Sequence, residues 1–222
     1  MKEKKLLEFI MPLQVENHLI IRCKRDVIIL LLETIQSISQ SDLLRTRKNS
    51  CKNSRTSGIM YIISSRMKRF FYCRKDGGIT SIAFPFSFTE DQYRIQFVDS
   101  LTRQEMTPQL TSSLISLLND CVFDFDHYNP DDIESQDLSE IDISNPSSKV
   151  WAIMQELILY DAGYLRYDID SEQEDKDRHP LNHLDINFDN ASTFKLGLHS
   201  EIYIEELQNI VDNSTNTRYF EQ

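Results

Sequence analysis

Two short runs near the C-terminus alternate strictly between polar and apolar residues. They are His183 to Phe188 and Phe194 to His199. A period of two is typical of a strand with one buried face, and a slip of one residue would turn every apolar side chain to the wrong face. The runs therefore predict an antiparallel hairpin whose two apolar sets face the same core.

The shortest plausible connection in this hairpin has five residues, Asp189 to Thr193. The resulting register pairs Phe188 with Phe194, Ile186 with Leu196, Leu184 with Leu198 and His183 with His199. Side chains directly opposed on neighbouring strands have Cβ atoms about 5 Å apart, so the two imidazoles would be close enough to share a ligand. Asp185 lies on the same face and His179 one short loop away. The candidate catalytic residues are therefore His179, His183, Asp185 and His199.

This group of residues has two interpretations. Two neutral imidazoles and a carboxylate that leave one coordination position open are typical of catalytic zinc sites, so the group suits metal-assisted or histidine-based phosphodiester hydrolysis. Alternatively, the polar residues form the solvated face of an antiparallel sheet, where water satisfies them. The sequence leaves both open and identifies no cofactor.

The rest of the chain mixes strand and helix patterns. Residues 69–74 and 79–84 flank an Asp-Gly-Gly turn and predict a hairpin, which Gly58–Ser64 and Gln92–Val98 extend into an antiparallel sheet. Helices are predicted over 27–38, where the β-branched content leaves a strand as the alternative, and after Thr107, Asn145 and Ser200. The predicted fold class is α+β, with antiparallel sheets packed with helices and a C-terminal β-hairpin followed by a helix. We expect a single domain over 1–222, with a possible subdivision into 1–119, 120–144 and 145–222.

Charge is distributed unevenly along the chain. The formal net charge is -11, but residues 1–76 hold 16 Lys and Arg against 7 Asp and Glu, a charge of +9, and the remainder carries -20. Such asymmetry often indicates a basic surface for nucleic acid, with nearby aromatic residues, here Phe70, Phe71 and Tyr72, available for stacking if they are exposed. The alternative is that the two halves neutralise each other. The candidate nucleic-acid-binding residues are Arg45, Arg47, Lys48, Lys52, Arg55, Arg66, Lys68 and Arg69.

Several protein classes are disfavoured. No apolar run approaches the ~20 residues of a membrane-spanning helix, and the N-terminus lacks a complete signal-peptide pattern, so we expect a cytoplasmic protein without membrane contact. The four cysteines form no C-x-x-C pair, and the usual glycine-rich phosphate-binding and serine-hydrolase motifs are absent from the sequence.

The C-terminal region resembles a known family. The residues that carry the resemblance are Leu165-Arg166-Tyr167-Asp168, the run His179-Pro180-Leu181-Asn182-His183-Leu184, Lys195 in the next strand, and a closing helix over Glu201–Val211. Over roughly 164–220 they are similar to an uncharacterised bacterial family of unknown function. The resemblance implies an accessory or effector protein of an anti-phage defence or mobile-element system, and it carries no settled activity.

Three functions follow as hypotheses. The first is a bacterial accessory or effector protein that binds nucleic acid through its basic N-terminal half. The second is the phosphodiester hydrolase described above. The third is a noncatalytic subunit that binds a protein partner encoded nearby through the acidic segment Asp120 to Asp142, which has no Lys or Arg.

Overall fold

A computed structural model describes residues 5–40, 58–63, 67–90, 94–119, 146–187 and 194–216. The chain divides into two compact units. The first comprises Met1–Met11, Leu44–Phe84 and Ala162–Gln222, and the second comprises Pro12–Leu43 and Pro85–Asp161. Each unit is described separately below, and the single-domain assignment stays a prediction.

Nine strands occur in the part of the chain that the structure describes. In chain order they are β1 (Lys5–Ile10), β2 (Gly58–Ile63), β3 (Lys68–Cys73), β4 (Ile79–Ala83), β5 (Ser87–Glu90), β6 (Ile95–Val98), β7 (Leu165–Ile169), β8 (Asn182–Ile186) and β9 (Phe194–Leu198). Within these described residues, the first unit holds a seven-stranded sheet of order β1-β2-β3-β4-β7-β8-β9, and every neighbouring pair is antiparallel.

The pairing of β4 with β7 makes this sheet continuous. Ile79 lies opposite Tyr167 and Ser81 opposite Leu165, and the backbone N–H of Ala83 donates to the carbonyl of Ala162 at 2.7 Å. The sequence patterns place one sheet in the N-terminal half and a second sheet region near the C-terminus. The structure joins the two, so the histidine-bearing hairpin extends the N-terminal sheet.

One face of the sheet packs against the C-terminal helix α5 (Ile204–Val211). The buried cluster on this face includes Phe71, Tyr167, Leu184 and, from the helix, Leu207. Side chains alternate across a strand, so Arg166, Asp168, His183 and Asp185 lie on the opposite face. The polar residues of β7 and β8 are thereby separated from the apolar core under α5.

The C-terminal hairpin is present, but the predicted register is wrong by two residues. Leu184 pairs with Leu196, and His183 lies opposite Gly197 rather than His199. A shift of two residues keeps every side chain on its predicted face, so the apolar pattern is equally satisfied. The connection spans residues 187–193 because β8 ends at Ile186, where Asn187 enters the left-handed region at φ 73°. His199 follows the end of β9 and is exposed.

The hairpin of β3 and β4 is confirmed. Gly77 has a φ of 92°, and the Arg74 N–H donates to the Gly78 carbonyl at 2.8 Å, which closes the turn. The predicted extension by Gly58–Ser64 is confirmed as β2. The predicted extension by Gln92–Val98 is wrong, because β6 pairs with β5 in a separate two-stranded sheet of the second unit.

The helices described in the second unit are α1 (Leu13–Asn17), α2 (Lys24–Gln40), α3 (Pro108–Asn119) and α4 (Pro146–Leu159). The last three confirm the predicted helices, and the Thr107 hydroxyl accepts the Leu110 N–H at 3.3 Å, as expected of a helix start. Strand β1 and helix α1 were not predicted. The acidic segment Asp120 to Asp142 lies outside the described residues. Within the described ranges, every helix is too short or too polar to span a membrane.

Candidate functional site

A cluster of charged side chains lies on the sheet face opposite α5, where β7 and β8 run side by side. Asp168 is directly opposite His183, and Arg166 is directly opposite Asp185. Arg74, the residue that follows β3, reaches the same cluster. These five residues, Arg74, Arg166, Asp168, His183 and Asp185, are called the polar centre below.

Arg166 joins the two carboxylates of the polar centre. Its Nε donates to Asp168 Oδ2 at 2.6 Å and its Nη2 donates to Asp185 Oδ2 at 2.5 Å. Its Nη1 donates to the Tyr164 hydroxyl at 3.3 Å. All three guanidinium nitrogens therefore have a partner, and the side chain is held in one orientation.

Arg74 contacts the other oxygen of Asp168. Its Nη2 donates to Asp168 Oδ1 at 2.5 Å, and its Nε donates to Asp76 Oδ1 at 3.2 Å. The guanidinium lies over Gly78, where an added Cβ would come within 1.9 Å of Arg74 Nη2. The glycine that completes the β3–β4 turn therefore also leaves room for this ion pair.

His183 lies at the buried, inner end of the polar centre. Its Nδ1 lies 2.8 Å from the Pro180 carbonyl, and a carbonyl accepts hydrogen bonds only, so Nδ1 carries a proton. Its Nε2 faces the two carboxylates, 3.9 Å from Asp168 Oδ2 and 3.9 Å from Asp185 Oδ1. Asp185 Oδ1 is buried and has no hydrogen-bond partner among the described residues.

The loop between β7 and β8 folds back over this face. Asp170 Oδ1 accepts the backbone N–H groups of Glu172 and Gln173, each at 3.1 Å, and the backbones of Asp175 and His179 pair at 2.8 and 2.7 Å. Pro180 packs on Gly197, since an added Cβ there would be 2.8 Å from Pro180 Cγ. These contacts hold the Pro180 carbonyl in position to accept from His183.

The same loop brings His179 against the centre. The rings of His179 and His183 meet edge to face, with centroids 4.6 Å apart. His179 Nε2 lies 3.9 Å from Asp170 Oδ2, and its Nδ1 is buried without a partner among the described residues. His179 is therefore an adjacent imidazole that is partly exposed, with Nδ1 on its buried side.

Burial, hydrogen bonds and neighbouring charges shift three pKa values in and around the polar centre. Burial by itself lowers the pKa of Arg166, but Tyr164, Asp168 and Asp185 outweigh it and the pKa is raised. Burial raises the pKa of the Tyr164 phenol, assisted by the two carboxylates. Backbone N–H donors, chiefly that of Gln173, lower the pKa of Asp170. Arg166 is therefore a permanent cation and Tyr164 a neutral phenol at pH 7.

The structure brings together His179, His183 and Asp185 of the four predicted catalytic residues. The fourth, His199, lies on the exposed bend after β9, so the predicted imidazole pair across the hairpin is wrong. Arg74, Arg166 and Asp168 were not predicted as site residues. The alternation of β7 placed Arg166 and Asp168 on one polar face, but the neighbouring strand that they meet was not predicted.

The candidate nucleic-acid-binding residues are only partly described. Lys68 is exposed on β3, whereas Arg69 donates to Ser81 Oγ at 2.9 Å and so has an internal role. Three aromatic residues were expected to stack with bases if they are exposed. These residues, Phe70, Phe71 and Tyr72, are fully buried, so that condition is not met. Nucleic-acid binding itself stays a prediction. The other six basic residues, Arg45, Arg47, Lys48, Lys52, Arg55 and Arg66, lie outside the described residues.

A second buried carboxylate occurs in the other unit, where Asp99 follows β6. Asp99 is fully buried, and its Oδ2 accepts the backbone N–H and the hydroxyl of Thr102, each at 2.6 Å. Asp99 Oδ1 and Glu156 Oε2 are both buried without a donor among the described residues. One proton shared between the two carboxyl groups satisfies both oxygens. Burial, together with the hydrogen bond to Asp99 and its charge, raises the pKa of Glu156 to about 7.

We expect this carboxyl pair to make the second unit less stable as pH rises. The pKa of Glu156 is raised from 4.5 to about 7 on folding, so the stabilisation is complete below pH 4.5 and is lost as pH rises through about 7. Because Glu156 is only partly buried, we expect a loss of about 1–2 kcal/mol between pH 5 and pH 8 relative to Glu156→Gln, whose amide donates at every pH. Urea unfolding followed by the fluorescence of Trp151, the single tryptophan, measures it. Parallel pH profiles for the two proteins would contradict the shared proton.

Comparisons with protein-family models, with curated proteins and with solved structures find no significant match to this chain. The resemblance of residues 164–220 to an uncharacterised bacterial family therefore stays a prediction.

Proposed function

We propose that the polar centre binds phosphate esters and hydrolyses phosphodiesters. The observation that carries the proposal is a buried imidazole between two carboxylates, bordered by two guanidinium groups that reach solvent. The side chains of Arg74 and Arg166 are 25% and 26% exposed, whereas that of His183 is 2% exposed. Guanidinium groups match the geometry of phosphate oxygens, and buried imidazoles and carboxylates supply the groups that move protons.

The reaction adds water to phosphorus and breaks the bond from phosphorus to the leaving oxygen. One proton leaves the attacking water and one proton is delivered to the leaving oxygen, so a diester and water give a monoester and an alcohol. In this scheme Arg74 contacts the non-bridging oxygens and stabilises the negative charge that develops on them. His179, whose side chain is 20% exposed beside the centre, takes the proton from water.

Arg166 has a positioning role in the proposed reaction. Its three nitrogens already donate to Tyr164, Asp168 and Asp185, so it orients the carboxylates. Asp168 and Asp185 in turn face Nε2 of His183. In this scheme Arg74 and His179 contact the substrate. The other residues of the polar centre hold these groups in place.

Nucleic acid is the diester that the charge distribution favours. Residues 1–76 carry a charge of +9, and Lys68 is exposed on β3 in the same unit as the polar centre. Phosphate contacts of this kind weaken steeply with salt. We therefore propose single-stranded or duplex nucleic acid as the substrate class.

Hydrolysis of bis(p-nitrophenyl) phosphate and of end-labelled oligonucleotides tests the proposal. We expect the wild type to cleave both, and Arg74→Ala and His179→Ala each to lower kcat/KM by about 100-fold or more. His199→Ala is the matched control, since it removes an exposed histidine outside the centre, and it should retain full activity. We expect KM for the oligonucleotides, but not for the small diester, to rise with salt.

Two outcomes would contradict the proposal. One is a wild-type protein, shown to be folded by circular dichroism, that cleaves neither substrate. The other is a rate that falls equally in His199→Ala and His179→Ala, which would place the activity outside the polar centre.

A further inference from the structure

We infer that Asp168, His183 and Asp185 bind one divalent metal ion. The inference deepens the proposed function, on whose residues it rests, by adding an ion that the reaction would use. One ligand atom from each residue, Nε2 of the imidazole and one oxygen of each carboxylate, lies within 4.8 Å of the other two.

The strongest evidence is a pair of buried acceptor atoms that face each other. Asp185 Oδ1 has no partner among the described residues, in a side chain that is 6% exposed. The atom in front of it, 3.9 Å away, is His183 Nε2, which carries a lone pair in the neutral imidazole because Nδ1 then holds the proton that is hydrogen-bonded to the Pro180 carbonyl. A buried acceptor without a donor is destabilising. A cation between the two atoms satisfies both.

The spacing fits a small cation after a modest closure. A tetrahedral ion with bonds of about 2.1 Å separates its ligand atoms by roughly 3.4 Å. His183 Nε2 lies 3.9 Å from each carboxylate oxygen, so the imidazole and each carboxylate need to approach by about 0.5 Å. The three ligand atoms lie within 4.8 Å of one another, so the two carboxylate oxygens need to approach by at most about 1.4 Å. One imidazole and two carboxylates favour Zn²⁺ or Mn²⁺ over Mg²⁺, which keeps most of its waters.

The surroundings resemble the outer shell of known metal sites. A ligating histidine commonly donates its second N–H to a carbonyl, as His183 does to Pro180, and ligating carboxylates are hydrogen-bonded, as Asp185 is to Arg166. The contact of Arg166 Nε with Asp168 Oδ2 occupies one lone pair of that oxygen and leaves another.

The charge of a bound metal ion would favour an anionic substrate at this site. Arg74 and Arg166 neutralise Asp168 and Asp185, so a divalent ion adds two positive charges to a balanced group. Three protein ligands leave a coordination position open. An anionic phosphate oxygen suits both that position and the added charge, and a metal there would polarise the phosphoryl group.

Isothermal titration of the chelator-treated full chain with ZnCl₂ and with MnCl₂ tests the site. We expect one ion per chain, and at least a 100-fold loss of affinity in both His183→Ala and Asp185→Asn. Asp185→Asn keeps the side-chain size and so guards against loss of fold, which circular dichroism checks. His199→Ala should bind as the wild type does.

The outcomes separate this inference from the proposed function. Metal binding that depends on Asp185, without cleavage of any diester, supports the ion and overturns the hydrolase. Diester cleavage that resists chelation, in a protein that binds no ion, supports the hydrolase and overturns the ion. Equal affinity in the wild type and in Asp185→Asn also overturns the site.

Discussion

Replacing Arg166 with methionine is expected to lower the free energy of unfolding of the first unit by about 3 kcal/mol. The change leaves the carboxylates of Asp168 and Asp185, whose side chains are 12% and 6% exposed, without their shared cation. Removing one partner of a buried ion pair costs about 3–5 kcal/mol because a charge stays buried without compensation. We take the low end of that range because the guanidinium is partly exposed.

Urea unfolding at pH 7, followed by far-UV circular dichroism, measures the effect of Arg166→Met. Arg178→Met is the matched control, since Arg178 is an exposed residue of the β7–β8 loop, and its effect should stay within about 0.5 kcal/mol. We expect Arg166→Lys to restore little of the loss, because an ammonium group cannot bridge two carboxylates in a planar fork. Similar losses for Arg166→Met and Arg178→Met would mean that the carboxylates have another source of compensation.

Replacing Gly197 with valine is expected to release the β7–β8 loop and to weaken the metal site without touching any ligand. The added Cβ would lie 2.8 Å from Pro180 Cγ, so Pro180 must move away from β9. Its carbonyl then no longer holds the Nδ1 proton of His183. Loss of such an outer-shell partner typically lowers metal affinity by 10- to 100-fold.

Limited trypsin digestion gives a readout of Gly197→Val that does not depend on metal. Lys176 and Arg178 are exposed in the loop, and we expect cleavage there to accelerate about tenfold or more, while titration reports the fall in Zn²⁺ affinity. Phe194→Val is the control, because it places the same side chain on an exposed position of the same strand. Unchanged cleavage in Gly197→Val would show that the loop is held by other contacts.

The face of each strand was predictable from alternation, but the register of the C-terminal hairpin was not. Leu184 and Leu196 meet the core in the observed register, and Leu184 and Leu198 would have met it equally well in the predicted one. The choice depends on Asn187, whose left-handed backbone ends β8 early, and on the packing of Pro180 against Gly197. The alternation of polar and apolar residues predicts neither the backbone conformation of Asn187 nor this packing contact.

The candidate site was also predictable only in part: the face of its residues on β8 was predictable, but their partners on other elements were not. His183 and Asp185 lie two residues apart on one strand, so their common face follows from the sequence. Their partners come from β7, and the pairing of β7 with β8 depends on the loop that carries Asp170 and His179. Arg74 comes from a turn far away in the chain, and no local pattern relates it to Asp168.

The antiparallel pairing of β4 with β7 also has a consequence for how the molecule folds. The β7–β8 hairpin brings Arg166, Asp168, His183 and Asp185 together over a short stretch of chain, whereas β4 meets β7 only after residues 84–164 have been looped out. The entropy of closing a long loop must be overcome before that pairing stabilises anything, which slows it. We therefore expect the salt bridge from Arg74 to Asp168 to form late, so that the electrostatic balance of the centre is completed only when the sheet closes.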